Sequence, residues 1–410
     1  MNIQILKSSK TSSTSSVTIT GSKSESNRLL LLKALYPAID IENVSNSDDS
    51  VLMQKALQSP NAPVIDIHHA GTAMRFLTAY LSIQEGREVV LTGSSRMKER
   101  PIGILVDALR QLGADIQYIE NEGFPPLSIK GKKLTESKVT LKADVSSQYI
   151  SALLLIASKL ENGLELTLDG KITSVPYIKM TLGLLNEIGV ETSFNNNVVK
   201  VKPKTNQVKP QTLVVESDWS SASYYFSIVA LSDIGTEVRL SSYKENSLQG
   251  DSVLSELYKE FGVETSFENN SVSLKKVEKT DSSKIIEFDL RNAPDIAQTI
   301  AVTAFGLGLE SELTGLHTLK IKETDRLVAL KTELEKFGAE VAITGESLRL
   351  KSSDNIVSNI SVDTYNDHRM AMAFAPLGLR TTLKINDPKV VSKSYPEFWN
   401  DLDSIGFKIK

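Results

Sequence analysis

The chain has 410 residues, 40% of them hydrophobic, with 46 Lys and Arg against 50 Asp and Glu and no cysteine. That length exceeds what one ordinary core holds, so two domains are expected. A net charge of −4 gives no field favouring nucleic acid or an anionic membrane as partner, and the lack of cysteine excludes disulfides, thiolate zinc sites and thiol nucleophiles.

In chain order, Met1 to Lys7 is followed by a Ser/Thr tract over 8–16 with no sustained apolar run. This reads as neither signal peptide nor anchor, and a cytoplasmic protein is expected. Residues 21–28 (GSKSESNR) are small and polar and lead into an apolar helix at Leu29 to Leu35. Backbone N–H groups and the positive dipole end of that helix favour an anion, and Lys23 and Arg28 add full charges; a serine N-cap with incidental cations would look similar. Three cations, Arg96, Lys98 and Arg100, fall within five residues. Ser146, Ser147 and Gln148 then place donors at the start of another apolar helix, Tyr149 to Leu155. Ser174 to Tyr177 and 218–224 (DWSSASY) resemble weaker versions of the same device.

Lys322 and Arg326 stand four apart, so on one helix they repel and ask for a compensating anion, unless Glu323 and Asp325 neutralise them. Asp367-His368-Arg369 and Lys393 follow. The histidines, His68, His69, His317 and His368, show no metal-ligand spacing, so no catalytic metal is expected; no cofactor is expected either.

A repeat sets the architecture. Five amphipathic helices close on Gly113, Gly189, Gly262, Gly338 and Gly406, each followed by a short alternating strand; the glycines lie 76, 73, 76 and 68 residues apart. Glycine past a helix end is the usual left-handed cap. A unit of that size implies six copies, one of them degraded around 49–59 and lacking the glycine. Asn195 to Asn197 and Glu268 to Ser271 supply turns for two hairpins. The polar stretch 203–211 is the candidate linker between two halves of three units.

Taken together, GSKSESNR (21–28), AGTAMR (70–75), RMKERPIG (96–103), SSQ (146–148), DWSSASY (218–224), NSLQGD (246–251), PDIAQT (294–299), KETDR (322–326) and YNDHRMAM (365–372) resemble the EPSP synthase family in the family's own order. The resemblance implies an α/β fold of two similar domains, each of three βαβαββ units in an inside-out barrel: 21–216, and 1–20 with 217–410. It implies transfer of the enolpyruvyl group of phosphoenolpyruvate to the 5-hydroxyl of shikimate 3-phosphate by addition and elimination, in a monomer that closes on its two small substrates. Shikimate 3-phosphate would meet Lys23, Ser24, Arg28, Ser146, Ser147, Gln148, Ser174, Tyr177, Asp295 and Lys322. Phosphoenolpyruvate would meet Lys23, Gly71, Arg100, Gln148, Arg326, Arg369 and Lys393. Asp295, Glu323 and Lys23 would be catalytic.

The chain departs from the family at Thr20, His69, Phe76 and Thr318, where Pro, Asn, Pro and Asn are common. Two rivals are a UDP-N-acetylglucosamine enolpyruvyl transferase, disfavoured by the absent cysteine and by Ser24, and a non-catalytic sugar-phosphate binder, which would not need Asp295 and Glu323.

Overall fold

The structure is a computed structural model describing residues 2–7, 13–143, 146–170, 172, 175–204, 206–353 and 355–410. The chain forms two compact units, Gly21–Val215 and Met1–Thr20 with Glu216–Lys410. Each has its own apolar core. The stretch 203–211 runs into the strand Gln211–Val214 of the first unit, so the chain leaves that unit only after Val215.

In the first unit, Gly71–Ser82 is buried at every position and Ser147–Ala157 from Tyr149 onward, beside Lys23–Leu35 with its buried Leu29 to Leu32. A helix apolar all round has no solvent face, so these helices form the centre. Small sheets cover them, and their strands alternate buried and outward residues, as in Lys138–Lys142.

One topology recurs. Val64–Asp66 lies parallel to Glu88–Thr92, which pairs antiparallel with Leu127–Lys130, itself antiparallel to Asp115–Tyr118. Lys138–Lys142, Leu164–Asp169, Val198–Val201 and Thr192–Asn195 repeat that order. The third sheet has only the parallel pair Ile39–Glu42 and Gln211–Val214. It belongs to the copy without the glycine, whose helix Asp48–Leu57 comes directly after the strand Ile39–Glu42.

The second unit repeats the arrangement three times. Its sheets are built on the parallel pairs Thr14–Val17 with Glu237–Ser241, Ile285–Asp289 with Glu310–Thr314, and Ile360–Val362 with Leu383–Asn386. In the last, the N-terminal strand Asn2–Leu6 pairs antiparallel with both Leu383–Asn386 and Lys408–Ile409. Buried helices again lie at the centre: Trp219–Leu231, Ala297–Gly306 and His368–Phe374.

The six sheets found among the described residues match the six copies read from the glycine spacing. All five repeat glycines are left-handed, with φ from 71° to 106°. The turns are left-handed too, at Asn196 in one hairpin and at Asn269 and Asn270 in the other. Asparagine tolerates that region better than other residues with a Cβ.

Candidate functional site

In the unit Gly21–Val215, side chains tie the N-termini of the three buried helices together. Arg28, 2% exposed, donates from Nη1 to the Ser24 carbonyl at 2.7 Å, from Nε to Thr181 Oγ1 at 2.8 Å and from Nη2 to Ser151 Oγ at 2.8 Å. Its guanidinium carbon lies 5.4 Å and 5.8 Å from the Phe76 and Tyr177 ring centroids. These partners are neutral, so burial pushes the Arg28 pKa down to about 10. A buried cation held by neutral acceptors gains from an anion placed beside it.

Asp49 caps the second helix, accepting from the Thr72 and Ala73 amides at 3.3 and 3.2 Å and from Asn27 Nδ2 at 2.8 Å. Gln148 Nε2 reaches Thr72 Oγ1 at 3.2 Å, joining the third helix to the second. Ser146 caps its own helix through the Gln148 amide, and Ser147 is the first residue within it. Lys23 opens the first helix, half-buried. Ser174 lies outside the described residues.

Arg100 lies against Gly71, where a Cβ would fall 2.5 Å from Arg100 Nη1. The segment carrying Arg100 is held by buried Arg75, which donates to the carbonyls of Gly71 at 3.1 Å and Pro101 at 3.0 Å. Tyr149 Oη donates to the same Pro101 carbonyl at 2.7 Å. Burial first, and then the charge of Arg100, push Arg75 down to about 10. His69 meets Asp48 at 3.4 Å through Nε2 and His68 Nδ1 at 2.7 Å through Nδ1. A donor-acceptor pair at that separation needs one of the two Nδ1 atoms bare.

The second unit gathers charge around Arg326, 2% exposed. Its Nε donates to Asp367 Oδ2 at 2.6 Å, Nη1 to Asp295 Oδ1 at 2.8 Å and Nη2 to Glu323 Oε2 at 2.8 Å. Burial opposes the charge, but Asp367, Glu323 and Asp295 outweigh it and hold the guanidinium above its ordinary value. Lys322 Nζ lies 3.4 Å from Asp295 Oδ1, and Arg369 Nη2 lies 3.4 Å from Asp295 Oδ2. Lys393 Nζ donates to the Asn366 carbonyl at 2.6 Å. Asp251, hydrogen-bonded by Ser220 Oγ, has its carboxyl pushed up to about 7 by burial and then by Asp295.

The helix expected to carry both Lys322 and Arg326 begins only at Arg326, after an N-cap at Asp325. Lys322 therefore lies outside it, and the i,i+4 repulsion does not arise. The anion that Arg326 needs is supplied by three carboxylates of the same unit. Thr318 sits in the short turn His317–Ile321 with its hydroxyl buried.

Sequence reasoning gave no role to Asp49, Arg75, Ser151, Thr181 or Asp251. Arg75 carried a signal, being the one charge in an otherwise apolar helix, as did Asp49, an acid in a helix's first turn. Among the described residues no group of three or more His, Asp or Glu is placed to hold a metal ion, and no helix is long and apolar enough to cross a membrane.

Buried helices with polar, charged N-termini inside shells of small sheets, twice over, define a two-unit inside-out α/β protein. The sequence profile of EPSP synthase (3-phosphoshikimate 1-carboxyvinyltransferase) matches residues 38–402. The chain belongs to that family. It is 47% identical over 403 residues to the 3-phosphoshikimate 1-carboxyvinyltransferase of Bacteroides fragilis, and 37% identical over 424 aligned positions to that of Haemophilus influenzae; each alignment covers 96% of both chains. Among solved structures, EPSP synthase from Acinetobacter baumannii aligns with a TM-score of 0.82 at 22% identity over 100% of this chain and 99% of that one. The enolpyruvyl transferase NikO from Streptomyces tendae aligns at 0.77 and 13% identity over 100% and 98%. At those identities the two structures speak to the fold, which is the inside-out α/β arrangement described above.

Proposed function

We propose that the chain transfers the enolpyruvyl group of phosphoenolpyruvate to the 5-hydroxyl of shikimate 3-phosphate and releases phosphate, a step of aromatic biosynthesis. The observation that carries the mechanism is that two carboxylates, Asp295 and Glu323, are held on the two terminal nitrogens of one guanidinium, Arg326, each at 2.8 Å. Their surroundings differ: Asp295 is 9% exposed and meets Lys322 and Arg369 as well, whereas the Glu323 side chain is 29% exposed. Two carboxylates in unlike settings suit a base and an acid.

In this reading, Asp295 takes the proton of the acceptor hydroxyl as its oxygen bonds to C2 of phosphoenolpyruvate, while Glu323 protonates the methylene carbon. The tetrahedral intermediate then returns a methyl proton to Glu323, now a carboxylate, as its C2–O bond to phosphate breaks, and Lys23 assists the departure of the phosphate. Arg28, Ser24, Ser146, Ser147, Gln148, Ser174, Tyr177 and Lys322 hold shikimate 3-phosphate. Gly71, Arg100, Gln148, Arg326, Arg369 and Lys393 hold phosphoenolpyruvate, with Arg326 acting through the carboxylates it orients. We take the protein to be a cytoplasmic monomer. The buried helix N-termini around Arg28 support the assignment, because the positive ends of helix dipoles and a buried cation hydrogen-bonded only to neutral groups suit a phosphate.

The test is phosphate release from phosphoenolpyruvate with shikimate 3-phosphate, with UDP-N-acetylglucosamine and with no acceptor. Release is expected with the first alone; turnover of the nucleotide sugar alone rejects the assignment.

A further inference from the structure

The strand Ile360–Val362 and the helix His368–Phe374 are joined through Tyr365 and Asn366, consecutive residues with φ of +52° and +57°. Neither is glycine, so the left-handed turn must be held from outside. The helix Arg326–Lys336 holds it at two points, seven residues and two turns apart on one face. At its start Arg326 grips Asp367. Two turns on, Glu333, 0% exposed, accepts from Tyr365 Oη at 2.6 Å and from the Asp363 amide at 3.2 Å. Lys336 neutralises Glu333 at 2.8 Å and reaches Asp363 Oδ2 at 2.8 Å.

The turn sets the direction of three groups. It aims the Asn366 carbonyl at Lys393 Nζ, 2.6 Å away. It brings Asp367 to Arg326 and lets it cap the next helix through the Arg369 amide at 2.9 Å. Arg369 then lies against Asp295.

We propose that Glu333 and Tyr365 are positioning residues for phosphoenolpyruvate: their hydrogen bond locks the 363–367 turn and so places Arg369 and Lys393. The proposal rests on the function given above. Neither side chain touches the reacting groups; both act through the backbone between them. A buried carboxylate costs folding energy unless it is paired, and here its partners are Lys336 and the turn itself.

Steady-state kinetics of the full chain, with the two substrates varied separately, test this. Tyr365→Phe removes one hydroxyl and leaves Glu333 paired with Lys336. It is expected to raise the KM for phosphoenolpyruvate about fivefold, the scale of one hydrogen bond. The KM for shikimate 3-phosphate should change less than twofold and the thermal midpoint little. Glu333→Gln should shift the same constant in the same direction. Should that variant not fold, Tyr365→Phe decides alone. The positioning role is overturned if Tyr365→Phe keeps the wild-type KM for phosphoenolpyruvate, or if it lowers only kcat and the thermal midpoint, as a purely structural contact would. A wild-type chain without shikimate 3-phosphate turnover instead rejects the underlying function, and this role with it.

Discussion

Arg28 and Thr181, 153 residues apart in sequence, meet in a buried hydrogen bond of 2.8 Å from Nε to Oγ1. Thr181 Oγ1 also donates to Ser151 Oγ at 3.0 Å and carries no charge of its own. The cation is thus fixed in direction by neutral hydrogen-bond partners.

Thr181→Val keeps the volume and removes that acceptor. It should cost about 1–3 kcal/mol in urea denaturation, because Arg28 loses a buried partner. Arg28→Lys is expected to weaken shikimate 3-phosphate binding at least about tenfold in calorimetry, since an ammonium cannot span Ser24, Ser151 and Thr181 together. Equal affinity in Arg28→Lys would remove Arg28 from the phosphate site.

The pairing of Asp295 and Glu323 on Arg326 leads to a separation of binding from chemistry. Asp295→Asn and Glu323→Gln should each retain substrate binding and lose turnover by at least about a hundredfold. Phosphate release and calorimetry on the same preparations check this. Near-normal turnover in both variants contradicts the acid–base assignment.

Gly71→Ala would put a Cβ 2.5 Å from Arg100 Nη1, the far end of a flexible side chain. Arg100 swings aside at small cost to folding but no longer lies over the helix start. The expected outcome is an unchanged thermal midpoint and a KM for phosphoenolpyruvate raised roughly three- to tenfold, because small misplacements of a binding group are costly. An unchanged KM would mean that Arg100 does not meet this substrate.

Lys276 is 3% exposed and donates to the Phe261 carbonyl at 2.6 Å, with burial and then Arg380 pushing its pKa down to about 8. In an unfolded chain a lysine titrates near 10.4, so between about pH 8 and 10.4 the unfolded state binds more protons and stability rises with pH. Below pH 8 the full penalty of the buried charge is present. Lys276→Met should therefore be more stable than the parent at pH 7 by about 1 kcal/mol, after allowance for the lost hydrogen bonds to the Phe261 carbonyl and to Thr280 Oγ1. Thr280 Oγ1 remains on the Phe261 carbonyl at 3.2 Å. The gap between the two proteins should narrow toward pH 10, as read by denaturation at each pH; a constant gap refutes the charge argument.

The sixfold repeat was legible in the chain because its markers are local. Gly113, Gly189, Gly262, Gly338 and Gly406 all take positive φ, a requirement that each helix end imposes on its own neighbours. The polar starts of apolar helices, at Lys23 and at Ser146 to Gln148, were readable for the same reason: a cap and the hydrophobic run behind it lie within a few residues.

What surrounds each charge was not written locally. The sequence placed Glu323 and Asp325 beside Arg326, but only folding brought Asp295 and Asp367 to its guanidinium and made Asp325 a helix cap. Ser151 and Thr181 read as ordinary hydroxyls in apolar helices until Arg28 was packed between them. Periodicity and caps report short-range sterics and hydrogen bonding. The choice of partner for a buried charge depends on which distant segments exclude water around it, and that is decided when the helices pack.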